Sequence, residues 1–140
     1  MTEKYFLDTN FLVYLLSDDE PEKRKKCFEI LKNSKRHRRF VLSTQVIKEF
    51  TSVMIGKHKL YPLEVKPIID KLCEYEVLTI QIEMIKDAID IHLLNKLSFW
   101  DSLILSTAIS SKCDYILTED MQHDQIIKGV QIKNPFDLTF

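Results

Sequence analysis

Four acidic side chains, Asp8, Glu49, Asp101 and Asp120, stand where carboxylates could act together. Asp8 directly follows the apolar run Tyr5-Phe6-Leu7, and Glu119-Asp120 follows Tyr115-Ile116-Leu117 with Thr118 between. Asp101 heads a helical stripe of Ile104, Leu105 and Ala108, so its carboxylate is aimed along an apolar face. Glu49 edges the stripe Val46, Ile47, Phe50, Val53 and Met54, about one and a half turns past Ser43. Each has a plain explanation taken singly. Asp8-Thr9-Asn10 could cap a helix, Thr118-Glu119-Asp120 could be a turn, Ser98 and Asp101 have the spacing of a capping box, and an edge glutamate is usually exposed.

Taken together they imply cation chemistry. Two carboxylates about 4 Å apart repel by about 4 kcal/mol at an effective dielectric of about 20. A cluster of four raises its own pKa values unless cations neutralise it. Hard oxygen ligands in an incomplete shell suit Mg²⁺ or Mn²⁺, which keep waters and then accept phosphate oxygens. Such ions activate water and stabilise charge during phosphodiester hydrolysis.

Other chemistries find little support. The two glycines, Gly56 and Gly129, permit no GxGxxG, P-loop or GxSxG motif. His37, His58, His92 and His123 have no paired metal spacing, and His92 reads as a histidine at the rim of the core. Cys27, Cys73 and Cys113, odd in number and widely spaced, read as buried reduced thiols. Trp100 reads as a packing residue. A phosphoaspartyl enzyme built on Asp8 would want Asp-x-Asp where Asp8-Thr9-Asn10 stands, or adjacent acids and a late lysine.

The elements that must position these acids alternate along the chain. Tyr5–Leu7 reads as a buried strand, followed by a helix through Phe11, Leu12, Leu15 and Leu16. An amphipathic helix spans Glu20 to Asn33, with Cys27, Ile30 and Leu31 on its apolar side. Phe40–Leu42 is a second strand, with Ser43 as N-cap of the helix Val46–Ile55. Helix Leu63–Cys73 begins at Pro62, Val77–Ile80 is a third strand, and Ile82–Leu97 and Trp100–Ser111 are helical. Tyr115–Leu117 is a fourth strand and Val130–Ile132 a fifth, after a short helix ended by Gly129. This order predicts an α/β fold with a mainly parallel sheet covered on both faces, its ligands beyond the carboxyl ends of the strands.

The chain of 140 residues fits a single domain, residues 1–140, with 45% hydrophobic and 29% charged residues. Its longest apolar run, Phe11–Leu16, is too short to span a membrane, and no signal peptide is expected. The formal net charge of −1 divides unevenly: residues 1–60 carry 13 Lys and Arg against 8 Asp and Glu, and residues 61–140 carry 7 against 13. The basic excess lies between Lys23 and Arg39, either a solvated helix face and turn or an edge that contacts phosphates.

The segments FLDTN, STQVIKEF, FWDSLILSTAI and ILTEDMQ, with a closing NPF, together resemble the PIN-domain family, and especially the VapC-type toxin ribonucleases of toxin–antitoxin pairs. No segment is specific alone; their order and spacing over nearly the whole chain are. The resemblance implies a three-layer fold with a five-stranded, mainly parallel sheet between helices. It implies a cytoplasmic endoribonuclease that uses Mg²⁺ or Mn²⁺ on RNA, a small antitoxin protein, a homodimer and no membrane. Asp8, Glu49, Asp101 and Asp120 then serve as metal ligands and catalytic acids, supported by hydrogen bonds from Thr9, Asn10, Ser43 and Thr118. Glu119 and Asp124 depart from the family pattern, and both add negative charge near the rim. The alternative is a PIN-like module that binds RNA or protein without cutting. An antitoxin arginine in the acid pocket, and a partner helix on apolar faces near Phe11–Leu16 or Val53–Leu72, would explain inhibition.

Overall fold

The computed structural model describes residues 2–33 and 38–137. Along the chain run β1 (Glu3–Leu7), α1 (Thr9–Leu16), α2 (Pro21–Asn33), β2 (Arg38–Ser43), α3 (Thr44–Gly56) and α4 (Pro62–Leu72). They are followed by β3 (Glu76–Leu78), α5 (Ile82–Asn95), α6 (Phe99–Ser110), β4 (Tyr115–Leu117), β5 (Ile126–Ile127) and β6 (Val130–Lys133). The sheet order is β3-β2-β1-β4-β6-β5. All neighbouring strands are parallel except β5 and β6.

The central strands form because they can be buried on both faces. Phe6, Leu7, Val41, Leu42, Ile116 and Leu117 are all inaccessible to solvent, and consecutive rather than alternating burial is the mark of a sheet covered on both sides. The chain winds outward from β1 to β2 and β3, then returns to β4 and β6 on the other side of β1. The winding therefore reverses between β1 and β4, where a crevice opens beyond the carboxyl ends of the strands. Register fixes what meets there. Leu7 pairs with Leu117, and the Asp8 amide extends the ladder to the Leu117 carbonyl at 3.2 Å. Asp8 and Thr118 thus leave the sheet side by side.

Helix α6 is buried along Ser102–Ala108, hydroxyl-bearing residues included. The Ser102, Ser106 and Thr107 hydroxyls donate to the carbonyls of Ser98, Met84 and Leu103, at 2.8, 2.6 and 2.8 Å. Those bonds allow the helix to be buried without stranding polar groups. Met84, Ala88 and Leu103 form a small second cluster between α5 and α6.

Four sequence expectations are corrected. The short helix before Gly129 is instead the two-residue strand β5, which makes a sixth strand and a hairpin with β6. Lys128 and Gly129 both have positive φ, 47° and 86°, as a two-residue hairpin turn of the primed type requires. Cys73 caps the end of α4 and is exposed, whereas Cys27 and Cys113 are buried. Trp100 is 62% exposed. His92 is exposed too, its Nδ1 beside the Leu97 carbonyl. Of the basic stretch Lys35–Arg39, residues 35–37 lie outside the described residues.

Candidate active site

Three helices begin directly beside the site, each with a capping side chain. Asp8 caps α1, accepting from the Thr9 amide at 2.7 Å. Ser43 caps α3 through the Val46 amide at 3.3 Å. Ser98 caps α6 through the Asp101 amide at 3.1 Å. The capping and site readings of Asp8 are therefore compatible: one carboxylate oxygen closes the helix and the other meets Thr118. The positive end of the α1 dipole also favours an anion at that position.

All four predicted acids line one cleft of about 340 Å³, together with Thr9, Asn10 and Gln45. Hydrogen bonds aim them. Thr118 donates its hydroxyl to Asp8 Oδ2 at 2.7 Å and accepts from the Asp120 amide at 3.1 Å, tying the ends of β1 and β4 together. Asn10 Nδ2 donates to Asp120 Oδ2 at 2.9 Å. Glu49 is held at both oxygens, by the Thr9 hydroxyl at 2.8 Å and by Gln45 Nε2 at 2.9 Å. Thr9, Asn10 and Thr118 thus hydrogen-bond directly to the acids. Ser43 acts differently: its hydroxyl caps α3 and so sets the helix that carries Glu49.

The electrostatics are those of an acid cluster held in place by the fold. Asp8 is only 6% exposed. Burial pushes its carboxyl up to about 6, against the hydrogen bonds from Thr118 and Thr9, and the charges of Asp120 and Glu49 push the same way. Burial raises Asp101 as well, opposed by the Ser98 hydroxyl and reinforced by Asp120 and Glu49. Asp120 is raised by burial and by the charge of Glu119, opposed by Asn10 and Lys23. Among the described residues no three His, Cys, Asp or Glu side chains stand close enough to hold one ion between them. That spacing is compatible with a small hard cation that keeps several waters and takes only one or two carboxylates. Gln45 Oε1 is buried without a hydrogen-bond partner on the wall of the same cleft, and a water carried by an ion would satisfy it. The donor set fits Mg²⁺ or Mn²⁺.

The two acids that depart from the family pattern do not line this cleft. Glu119 accepts from the Tyr14 hydroxyl and from Lys23 Nζ, the latter at 2.9 Å. Lys23 Nζ also lies 5.0 and 5.1 Å from the ring centres of Tyr14 and Phe136. Asp124 pairs with Lys133 at 2.8 Å, which holds its carboxyl below the usual range. Sequence reasoning missed Gln45 and Tyr14, and it read Lys23 as part of a basic edge where the structure pairs it with Glu119. Gln45 had a visible signal, since it stands one helical turn before Glu49.

The profile of the PIN domain matches residues 5–128. No curated protein matches the chain by sequence. Among solved structures, a toxin–antitoxin complex from Klebsiella pneumoniae aligns with a TM-score of 0.72 at 19% identity, covering 96% of this chain and 99% of that one. The sarcin-ricin loop cleaving toxin VapC20 of Mycobacterium tuberculosis aligns with a TM-score of 0.67 at 13% identity, covering 83% and 91%. VapBC2 of Rickettsia felis, bound to a DNA fragment from its promoter, aligns with a TM-score of 0.66 at 18% identity, covering 94% and 98%. With the profile spanning most of the chain, the chain belongs to the PIN-domain family.

Proposed function

We propose that this chain is a divalent-metal-dependent endoribonuclease and the toxin of a toxin–antitoxin pair. One observation carries the reading: acids from four separate parts of the chain line a single cleft, with the carboxylates of Asp8, Glu49 and Asp120 held by hydrogen bonds and Asp101 set by the capped start of α6. A fold that gathers mutually repelling carboxylates beside a buried Asp8 gives up stability there, and a cation site accounts for that cost.

One or two of Asp8, Asp101 and Asp120 would ligate Mg²⁺ or Mn²⁺ directly, and the remaining acids, Glu49 among them, would reach the ion through its bound waters. The bound ion would neutralise the phosphodiester and acidify a water. The remaining work belongs to the chain itself. Thr118 keeps Asp8 beside Asp120, Asn10 fixes one oxygen of Asp120, and Thr9 with Gln45 immobilises Glu49. The α1 N-terminus adds a fixed partial positive charge beside the anionic substrate.

The partners are inferred from surface chemistry and from the assemblies of similar structures. Two of those structures are toxin–antitoxin assemblies. Exposed Leu16, Phe28, Tyr61 and Leu63 offer apolar contact to an antitoxin helix, and an antitoxin arginine suits the acid cleft. Leu93 and Leu94 on α5, 72% and 75% exposed, with Ile82 and Ile89, suit a second copy in a homodimer. Among the described residues no helix is long and apolar enough to cross a membrane; we place the protein in the cytoplasm.

The test is cleavage of single-stranded RNA with Mg²⁺ or Mn²⁺. Activity should vanish in EDTA and in Asp8→Asn and Asp101→Asn. RNA binding without cleavage in any divalent metal would favour the non-cutting PIN-like module.

A further inference from the structure

A second cleft of about 680 Å³ adjoins the acid cleft, and its chemistry is the opposite. Its walls include Ile80, Ile85, Phe99 and Leu103, with exposed Lys48 as the cation. The two clefts are continuous, since Gln45, Glu49, Ser52 and Trp100 line both. Trp100 therefore stands on the boundary, one residue before Asp101. Phe99 braces it, the ring centres 5.3 Å apart and the planes at 73°. Although 62% of Trp100 is exposed, its backbone is anchored, because its carbonyl accepts from Gln45 Nε2 at 3.2 Å.

We propose that this second cleft is a base-stacking subsite, in which Trp100 takes the nucleobase next to the scissile phosphate and so selects unpaired RNA. The inference rests on the ribonuclease reading and adds a substrate class to it. A phosphodiester drawn to a cation held by the acids brings its neighbouring nucleotides along, and a base beside the cleft has to be seated or left in water. An exposed indole backed by apolar side chains is what a base stacks on, largely independent of its identity. A base held in a duplex cannot turn onto it, so loops and single strands are favoured. Lys48, exposed on the same wall, suits the adjoining phosphate.

Trp100 is the only tryptophan in the chain, so its fluorescence reports the boundary of the two clefts, and the abasic control separates stacking from occupancy of the acid cleft. Asp8→Asn protein with Mn²⁺, in which no RNA should be cut, is titrated with a single-stranded oligoribonucleotide. The controls are the same sequence as a duplex and an abasic ribose-phosphate chain of equal length. The single strand should quench Trp100 emission to saturation, and the two controls should not. With Mn²⁺ present, Trp100→Ala should raise KM roughly tenfold with kcat nearly unchanged, and Trp100→Phe should fall between it and wild type. Equal quenching by the abasic chain, or a wild-type KM in Trp100→Ala, would overturn the subsite. Emission that follows protein concentration and ignores RNA would overturn it too, and would assign the face to a second copy. The two readings fail separately: quenching by the single strand without any metal-dependent cutting sinks the ribonuclease and leaves the subsite, whereas cutting without quenching does the reverse.

Discussion

Lys23 and Glu119, 96 positions apart in the chain, form an ion pair at 2.9 Å that occupies the acid standing next to Asp120. The Tyr14 hydroxyl donates to the other Glu119 oxygen. The pair keeps an extra carboxylate off the wall of the acid cleft and offsets part of its charge. Lys23→Met should release Glu119 toward the cleft, tighten Mn²⁺ binding by a few-fold and weaken RNA binding through the added negative charge. Calorimetry with Mn²⁺ checks this, and Glu119→Gln in the same background should restore wild-type affinity. Unchanged Mn²⁺ affinity in Lys23→Met would leave the pair with a purely structural role.

Asp8 sets the pH dependence. Its folded carboxyl lies at about 6 against an ordinary 3.8, so between those values the folded state holds more proton than the unfolded one. Its contribution to stability is present in full below about pH 4 and is lost as pH rises through about 6, a change of roughly 3 kcal/mol at most. Asp101 and Asp120, also raised, act with the same sign and Asp124 with the opposite, so the readout for Asp8 is a difference. In EDTA, Asp8→Asn should melt close to wild type at pH 4 and several degrees above it at pH 7. Since metal ligation needs the carboxylate, Mn²⁺ affinity should fall below about pH 6. Parallel melting curves at the two pH values would refute the assignment.

Thr118→Val keeps the shape of the side chain and removes the hydroxyl that joins Asp8 to Asp120. The Asp8 carboxyl should rise further, because the bond that Thr118 donates favours its charged form. Cleavage at neutral pH should fall by about ten- to hundredfold, as for other residues that orient metal ligands. The acid limb of the pH–rate profile should move upward, and Thr118→Ser should recover most of the loss. A uniform loss with an unmoved profile would indicate misfolding and not repositioning.

The strand ends that carry the site were legible because short apolar runs end at acids: Tyr5–Leu7 at Asp8, and Tyr115–Leu117 at Thr118-Glu119-Asp120. The caps Ser43 and Ser98 were legible for the same local reason. The β5–β6 hairpin was not, since a glycine after Ile126-Ile127-Lys128 serves equally as a helix stop and as the second residue of a hairpin turn. Only pairing with β6 decides between them. Trp100 was misread because an aromatic beside an apolar stripe ordinarily packs, yet the buried stretch of α6 starts two residues later at Ser102. The pairs Lys23–Glu119 and Thr9–Glu49 join residues far apart in the chain, and no spacing rule reveals them.

Gln45 separates stability from activity most clearly. It is buried, its Nε2 donates to Glu49 and to the Trp100 carbonyl, and its Oε1 has no partner. Gln45→Leu removes a stranded acceptor and keeps most of the volume, so the metal-free fold should be as stable as wild type or slightly more so. Glu49, however, would keep only the Thr9 hydroxyl and could swing about that single contact. Cleavage should therefore drop by about ten- to hundredfold, with Mn²⁺ affinity reduced, although the melting temperature in EDTA holds. Gln45→Glu should be worse on both counts, since it sets a like charge against Glu49 in a buried position. Melting curves in EDTA beside single-turnover cleavage with Mn²⁺ distinguish the outcomes. If Gln45→Leu melts several degrees lower and cuts at the wild-type rate, Gln45 is a packing residue and Glu49 is positioned by Thr9 alone.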